Sequence, residues 1–374
     1  MKRRDFIEVA GRGSLGVGAM AAGVLPMSLL SGCNVPLPEL GFTGWTWVHG
    51  NADRTEAEWR ARFGALREAG FGGVLVNGGN TELVSGAARA EGLTFHRWIW
   101  ILNRNNDQRV QEEHPEWFTI SRNGESSLTQ SPYVGYYKWL CPSRAPVREY
   151  LRNEIAAVAA DEAVNGVHLD YIRHCDVILP RGLWETYDLV QDVELAEFDF
   201  CYCEVCREQF EAQTGRDPFT MDDPPSDQEW VRFRWDSVTR LVRELAEVTH
   251  NAGKPISAAV FPTPRIARTL VRQSWDEWPL DMVFPMLYHS FYLEDIDWVG
   301  DRVAEGVEAL SGRGIDLRSG LYLPDLDPEG LARAIQIAHQ NGAVGFSTFE
   351  MNGLTDEHLS AVRRVVDEIR ASQR

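Results

Sequence analysis

Eight short apolar runs recur along this chain, and each is followed by a segment with the periodicity of an amphipathic helix. Alternating strands and helices of this kind pack as a parallel sheet covered by helices, and eight such units can close the sheet into a barrel. The sequence therefore predicts an α/β fold made of a single (β/α)8 TIM barrel. The predicted strands are Phe42–Val48, Phe71–Asn77, Leu93–Leu102, Gly166–Asp170, Ile256–Phe261, Met282–Tyr288, Leu317–Leu323 and Ala343–Phe349.

Start signals and connection lengths refine this prediction. Thr55 and Glu58 have the spacing of a capping box, and the Asp327-Pro328 pair and Thr355 are expected to begin the last two helices.

Two connections are much longer than the rest: residues 103–137 after strand three and residues 172–225 after strand four. Long irregular segments in a compact domain usually carry function or are disordered.

The first 32 residues resemble an export signal. The paired arginines Arg3 and Arg4 precede a weakly apolar Gly/Ala-rich stretch, which ends in Leu30-Ser31-Gly32-Cys33. This order is typical of a twin-arginine signal followed by a bacterial lipobox, with Cys33 as the lipidated residue. We expect a signal peptide over residues 1–32, a tether over 33–39 and the barrel over 40–374. The protein would be exported by the twin-arginine route and lipid-anchored in the bacterial cell envelope, at its periplasmic or cell-surface face.

The net charge limits the partners that are expected. The chain carries a formal charge of −18 at pH 7. An acidic surface repels the phosphates of nucleic acids and of anionic lipids. We therefore expect no nucleic-acid partner, and membrane association only through the lipid anchor.

Acidic residues at the carboxyl ends of the predicted strands are the catalytic candidates, because active sites of such barrels lie at that end. Asp170 closes strand four, and its side chain is expected to point inward at the barrel mouth, with His168 on the same side. Glu350 follows strand eight, which faces strand four across the barrel. We expect Asp170 and Glu350 to form the catalytic pair, with Asp325 after strand seven as the reserve partner. The structural alternatives are that Asp170 only pairs with Arg173 and that Glu350 only caps the final helix or pairs with a nearby arginine.

Other side chains near these strand ends are candidates for binding a substrate. Aromatic rings stack on apolar faces of ligands, and amide, hydroxyl, imidazole and guanidinium groups hydrogen-bond to hydroxyls, although a packing role is the default for each. The candidates are Trp45, Trp47, Asn77, Trp100, Asn105, His168, Tyr171, Arg173, Tyr288 and His289.

Several motifs follow one another along the chain: His114–Phe118, Trp139–Ser143 with Val147–Leu151, Gly166–Arg173, Gln273–Trp278 and Val283–Tyr288. Through this set, nearly all of the chain after residue 40 resembles the glycosyl-hydrolase-like family ten of bacterial proteins. The resemblance implies a TIM-barrel glycosidase with a carbohydrate substrate. It also singles out Asp170, which matches the strand-four aspartate of that family.

The leading hypothesis is a glycoside hydrolase that cleaves a poly- or oligosaccharide with two carboxyl groups, one donating a proton and one acting as nucleophile or base. In this scheme Asp170 is the nucleophile or base, kept ionised by Arg173 or another cation, and Glu350 is the acid because Phe346 and Phe349 lie beside it. The alternative is a non-catalytic glycan-binding lipoprotein on the same fold. A metal-dependent hydrolase is disfavoured because no strand end offers clustered His and Asp ligands, so we expect no cofactor for catalysis.

Five cysteines follow the predicted lipidation site, and an odd number cannot pair completely as disulfides within the chain. Cys201, Cys203 and Cys206 have a spacing that a tetrahedral zinc ion can use, with a fourth ligand from Cys175, His174 or elsewhere. Twin-arginine substrates fold before export in a reducing compartment, which favours zinc over disulfides. We therefore expect a structural zinc that orders the connection after strand four, where the sequence offers few apolar anchors beyond Leu183, Trp184 and Phe198.

Overall fold

A computed structural model describes residues 41–373, and these residues fold around a closed barrel of eight parallel strands in chain order. All eight predicted strands are confirmed, with shifts of up to three residues at their ends. The predicted signal peptide (1–32), Cys33 and the tether (33–39) lie outside the described residues. The strands are β1 (Thr43–His49), β2 (Phe71–Asn77), β3 (Thr94–Trp100), β4 (Gly166–Asp170), β5 (Ile256–Val260), β6 (Met282–Pro285), β7 (Asp316–Tyr322) and β8 (Gly345–Phe349).

Helices cover the outside of the barrel, and their predicted start signals are confirmed. Thr55 and Glu58 form the capping box of the first helix, Asp327 caps the ninth, and Thr355 caps the last. None of the helices between residues 41 and 373 is both long enough and apolar enough to cross a membrane. The α-helices of this part of the chain are α1 (Glu56–Glu68), α2 (Thr81–Ala90), α3 (Gln108–Glu113), α4 (Ala145–Ala160), α5 (Glu204–Thr214), α6 (Gln228–Asn251), α7 (Pro264–Val271), α8 (Trp298–Ala309), α9 (Pro328–Gln340) and α10 (Asp356–Ser372).

The inside of the barrel is filled by large side chains rather than by solvent. Its core includes Trp45, Trp47 and Trp98 together with Phe284. Strand β4 begins with Gly166 because a Cβ there would lie 2.3 Å from Nε2 of the His96 side chain that points inward from β3. Since the interior is packed, a ligand can bind only at an end of the barrel.

The two long connections are confirmed, and they meet each other. Residues 101–144 link β3 to α4, and residues 171–227 link β4 to α6 and contain α5. Backbone hydrogen bonds join the two connections, from Tyr202 N to Ile120 O (2.8 Å) and from Arg122 N to Asp199 O (2.9 Å). The connections therefore form one continuous layer.

The expectation that the second connection has few apolar anchors is wrong. Ile172, Val177, Leu179 and Phe200 are all buried, in addition to the predicted anchor Leu183, which is 7% exposed. Their burial orders the connection because it removes apolar surface from water, which contributes about 25 cal/mol per Å².

Candidate active site

A cavity of about 110 Å³ opens at the carboxyl ends of the strands, and its upper wall comes from the two long connections. The space for a single water is about 10–15 Å³ on this measure, so the cavity can hold a group much larger than water. Seven of the ten tyrosines of the chain line it. They are Tyr133, Tyr136, Tyr137, Tyr171, Tyr187, Tyr288 and Tyr292.

Asp170 ends strand β4 and lies at this cavity, as the strand alternation predicts. Its Oδ2 accepts a hydrogen bond from Nε1 of Trp98 (2.9 Å), and its Oδ1 accepts one from the backbone N–H of Tyr171 (2.7 Å). Burial raises the pKa of the Asp170 carboxyl group, and these two hydrogen bonds lower it only in part. Asp170 is therefore more readily protonated than a solvated aspartate.

The structural alternative in which Asp170 pairs with Arg173 is not found. The Arg173 guanidinium donates instead to Asp176 Oδ2, at 2.9 Å, and both side chains are buried in the cavity wall. The guanidinium also lies over the rings of Trp139 (4.9 Å) and Phe261 (5.1 Å). Arg173 thus acts on Asp170 only as a more distant charge, the smallest of the influences that lower the carboxyl pKa.

Glu350 follows β8 and contacts a histidine from β1. Its Oε2 lies 3.3 Å from Nε2 of His49, and the two side chains are 18% and 20% exposed. Burial lowers the pKa of His49, an effect that the Glu350 carboxylate only partly offsets, so the imidazole is neutral at pH 7. The His49 ring in turn lies 5.2 Å from the Trp98 ring, centre to centre. Trp98 and His49 therefore connect the two predicted catalytic carboxyl groups.

Trp98 was not among the residues singled out from the sequence. It lies on the same strand as Trp100 and two residues before it, so the period of a strand places both on the inner face. Trp100 is the predicted binding residue because it lies at the strand end, but Trp98 is the tryptophan that donates to Asp170. The sequence patterns also do not indicate Asp176 or the connection residues Tyr133, Tyr136, Tyr137 and Tyr187, because no strand pattern fixes where these residues lie.

Several predicted substrate-binding residues do line the cavity. Trp47 lies at its base, 1% exposed, with its ring 5.9 Å from that of Phe349. Tyr171, Arg173 and Tyr288 form parts of its wall. Burial raises the pKa of Tyr171 and of Tyr288, so both phenols keep their protons at neutral pH and can donate hydrogen bonds.

Other predicted binding residues lie behind the cavity wall. Trp45 packs against His96 inside the barrel, with ring centres 4.7 Å apart. His168 is fully buried one layer below Asp170, with Nδ1 2.9 Å from Ser257 Oγ, and burial lowers its pKa well below the usual value. Trp100 packs behind Tyr171, with ring centres 4.7 Å apart.

The remaining candidates lie outside the cavity lining, as does the Glu350 side chain, although its neighbour Phe349 belongs to that lining. Asn77 donates to the Trp98 backbone oxygen (3.1 Å), and Asn105 donates to Asn106 in the first connection (3.0 Å). His289 and Asp325 line a separate surface depression beside β6 and β7. Asp325 is exposed and accepts a hydrogen bond from Ser290, so it does not face Asp170 across the cavity.

The three cysteines of the second connection lie together with a fourth from the first connection. The ligand atoms of Cys141, Cys201, Cys203 and Cys206 all lie within 4.8 Å of one another, and within residues 41–373 this is the group of side chains arranged to hold a metal ion. The two residues predicted as possible fourth ligands do not belong to this cluster. Cys175 is buried elsewhere, and His174 Nε2 lies 3.3 Å from Ser237 Oγ.

No protein-family model and no curated protein matches this chain in sequence, so the resemblance drawn from the motifs stays a prediction. Solved structures match in fold. The glycoside hydrolase domain of PgaB (BpsB) from Bordetella bronchiseptica has a TM-score of 0.59 at 13% identity, over 87% of this chain and 99% of that one.

Two further solved structures extend this comparison. The catalytic domain of β-amylase from Paenibacillus polymyxa has a TM-score of 0.60 at 10% identity, over 88% of this chain and 98% of that one. The α-L-fucosidase isoenzyme 2 from Paenibacillus thiaminolyticus has a TM-score of 0.56 at 13% identity, over 88% of this chain and 49% of that one. The chain thus shares its (β/α)8 fold with domains of glycoside hydrolases.

Proposed function

We propose that this protein is a glycoside hydrolase that cleaves a poly- or oligosaccharide at the cavity on the carboxyl ends of the barrel strands. The observation that carries the proposal is the Asp170 carboxyl group, held by Trp98 and Tyr171 beside a tyrosine-lined cavity at the barrel mouth. The fold shared with the PgaB and β-amylase domains supports it at the level of architecture.

The chemistry needs a proton donor for the leaving oxygen and a carboxylate that attacks the sugar or activates water. We assign Asp170 as the donor, because burial raises its pKa and favours the protonated form. Glu350, in contact with His49, is the second carboxyl group and acts as nucleophile or base. This assignment reverses the roles expected from the sequence, in which Arg173 or another nearby cation kept Asp170 ionised.

The tyrosine lining suits a carbohydrate ligand. Aromatic rings offer flat apolar surface for the C–H faces of a sugar, and phenol hydroxyls donate to and accept from its hydroxyl groups. Tyr133 is held in place by donating to Asp176 O (2.9 Å) and by accepting from Gln191 Nε2 (2.8 Å). Such fixed rings bind a ligand with little loss of side-chain entropy.

The first experiment measures hydrolysis directly. The purified full chain is incubated with a panel of polysaccharides and oligosaccharides, and new reducing ends are quantified. We expect Asp170→Asn and Glu350→Gln each to lower turnover by about 10²–10⁴-fold on the substrate that the parent cleaves. Asp192→Asn is the matched control, because Asp192 is exposed in the same connection that follows Asp170.

The second experiment separates the two roles by using an aryl glycoside whose leaving group needs no protonation. Asp170→Asn should lose much less activity on this substrate than on the natural one, whereas Glu350→Gln should lose activity on both. The opposite pattern would restore the roles expected from the sequence. Binding of a glycan by the parent without any cleavage would instead favour the non-catalytic glycan-binding lipoprotein.

The location of the protein is a separate proposal based on the Arg3-Arg4 pair and the Leu30–Cys33 motif. We propose that the protein is exported by the twin-arginine route and anchored by a lipid on Cys33. Cys33→Ala should release the protein from the membrane fraction, whereas Cys175→Ala should not. Equal partitioning of the Cys33 variant and the parent would contradict the anchor.

A further inference from the structure

Four buried sulfur atoms from the two long connections lie at the distances that a tetrahedral metal centre requires. The Sγ atom of Cys141 is 3.4 Å from that of Cys206 and 3.7 Å from that of Cys203, and all four lie within 4.8 Å of one another. Zinc binds thiolate sulfur at about 2.3 Å, so the corners of a tetrahedral site lie about 3.8 Å apart. A disulfide would need a separation of about 2.05 Å, and all four thiols are free.

Backbone geometry around the cluster favours thiolates. The N–H groups of Ile120 and Cys203 both point at the Cys201 sulfur, with nitrogen–sulfur distances of 3.4 Å. Cys203 is the N-cap residue of α5, and Cys206 lies in its first turn. The partial positive charge of a helix N-terminus and donated N–H groups both stabilise negative sulfur ligands.

We propose that Cys141, Cys201, Cys203 and Cys206 bind a structural zinc ion. Zinc fits because four thiolates in a tetrahedral arrangement are one of its standard ligand sets. All four residues are at most 3% exposed, so no position is left for water or a substrate, and the ion has a structural rather than a catalytic role.

The ion would cross-link the layer that forms the upper wall of the cavity. Cys141 belongs to the connection that carries Tyr136 and Tyr137, and the other three cysteines belong to the one that carries Tyr187. Because the second connection also buries many apolar residues, zinc adds to its order instead of creating it. Loss of zinc should therefore loosen the wall while the barrel itself remains folded.

The test begins with metal analysis of the purified full chain, produced in medium that contains zinc and iron. We expect about one zinc per chain. Titration with a mercurial reagent should release that zinc as four thiols react, and replacement by cobalt should give the absorption of a tetrahedral cobalt–thiolate centre. These measurements need no variant, so a folding defect in a mutant cannot obscure them.

Cys203→Ser provides the second arm, with Cys175→Ser as its matched control, since Cys175 is also buried but lies outside the cluster. We expect Cys203→Ser to lose at least tenfold in zinc retention under a chelator and to increase protease cleavage in residues 171–227. Cys175→Ser should keep its zinc. Four results would each overturn the proposal: purified chain without stoichiometric metal, iron in place of zinc, disulfides among the four cysteines, or equal zinc loss in both variants.

Discussion

Arg173→Met tests the most heavily buried charge pair of the candidate active site. Arg173 is 6% exposed and Asp176 is 3% exposed, and their ion pair is 2.9 Å long. Methionine approximates the length of the arginine stem and can pack among the surrounding rings, so the main loss is the positive charge. The Asp176 carboxylate is then left buried without its partner.

The structure sets the size of the expected effect. Removing one partner of a buried pair costs about 3–5 kcal/mol, because the other charge stays desolvated. The rings of Trp139, Tyr171 and Phe261 have their centres 4.9–5.4 Å from the guanidinium carbon, which places the expected loss at the upper end of that range. For the described 333 residues, an unfolding entropy of roughly 0.7 kcal/mol/K converts a loss at the upper end of that range into a fall in melting temperature of about 7 °C.

A double-mutant cycle assigns the partner. Denaturant unfolding is measured for Arg173→Met, Asp176→Asn and the double variant, and then for the same cycle with Asp170→Asn. We expect a coupling free energy of about 1–3 kcal/mol with Asp176 and less than about 0.5 kcal/mol with Asp170. A loss below about 1 kcal/mol for Arg173→Met, or a larger coupling with Asp170, would refute the assignment of the pair.

Three further predictions concern the carboxyl groups. Because burial raises the folded-state pKa of Asp170, the protein loses stability as the pH rises from the unfolded-state pKa of about 3.9 through that raised value. Asp170→Asn removes this loss. The melting temperature of the variant minus that of the parent, measured by calorimetry, should therefore increase with pH, and a difference that decreases with pH would contradict the prediction. Trp98→Phe removes a donor that lowers the pKa of Asp170, so the alkaline limb of the pH–rate profile should move to higher pH, and a move to lower pH would exclude Asp170 as the acid. His49→Gln keeps a neutral polar group beside Glu350 and should retain more activity than His49→Phe, for which we expect a loss of about tenfold or more in turnover; equal activities would remove His49 from the mechanism.

The barrel and the position of Asp170 were predictable because local patterns determine them. Eight apolar runs define the strands, and the period of two in β4 turns His168 and Asp170 to the same inner face. In the structure Asp170 pairs in register with Trp100 of the neighbouring strand, which fixes its height at the barrel mouth. Nothing beyond the strand pattern is needed for that placement.

The partner of Arg173 was not predictable, because the chain offers two equivalent choices. Asp170 precedes Arg173 by three residues, and Asp176 follows it by three. The backbone decides between them after the strand ends, where Tyr171 adopts a positive φ of 48° and turns the chain away from the β4 direction. Spacing alone contains no information on that turn.

The fourth cysteine ligand was missed for a different reason. Cys141 is 60 residues from Cys201, and it reaches the cluster only because the two long connections pair with each other. Contacts between connections depend on the whole tertiary structure, whereas Cys201, Cys203 and Cys206 reveal themselves by short spacing. The same limit applies to Tyr133, Tyr136, Tyr137 and Tyr187 of the cavity wall, which lie in irregular segments.

The groups proposed for chemistry and those proposed for recognition are held by different parts of the fold. Asp170, Trp98 and Glu350 lie on or directly after barrel strands, where neighbouring strands fix their positions. Five of the seven tyrosines that line the cavity lie in the two connections, whose junction includes the buried Asp199 and its ion pair with Arg234 of α6. A change in the connections can therefore reshape the wall while it leaves the carboxyl groups in place. For this reason, sugar selectivity should depend mainly on the connections, and the capacity to break a glycosidic bond on the strand ends.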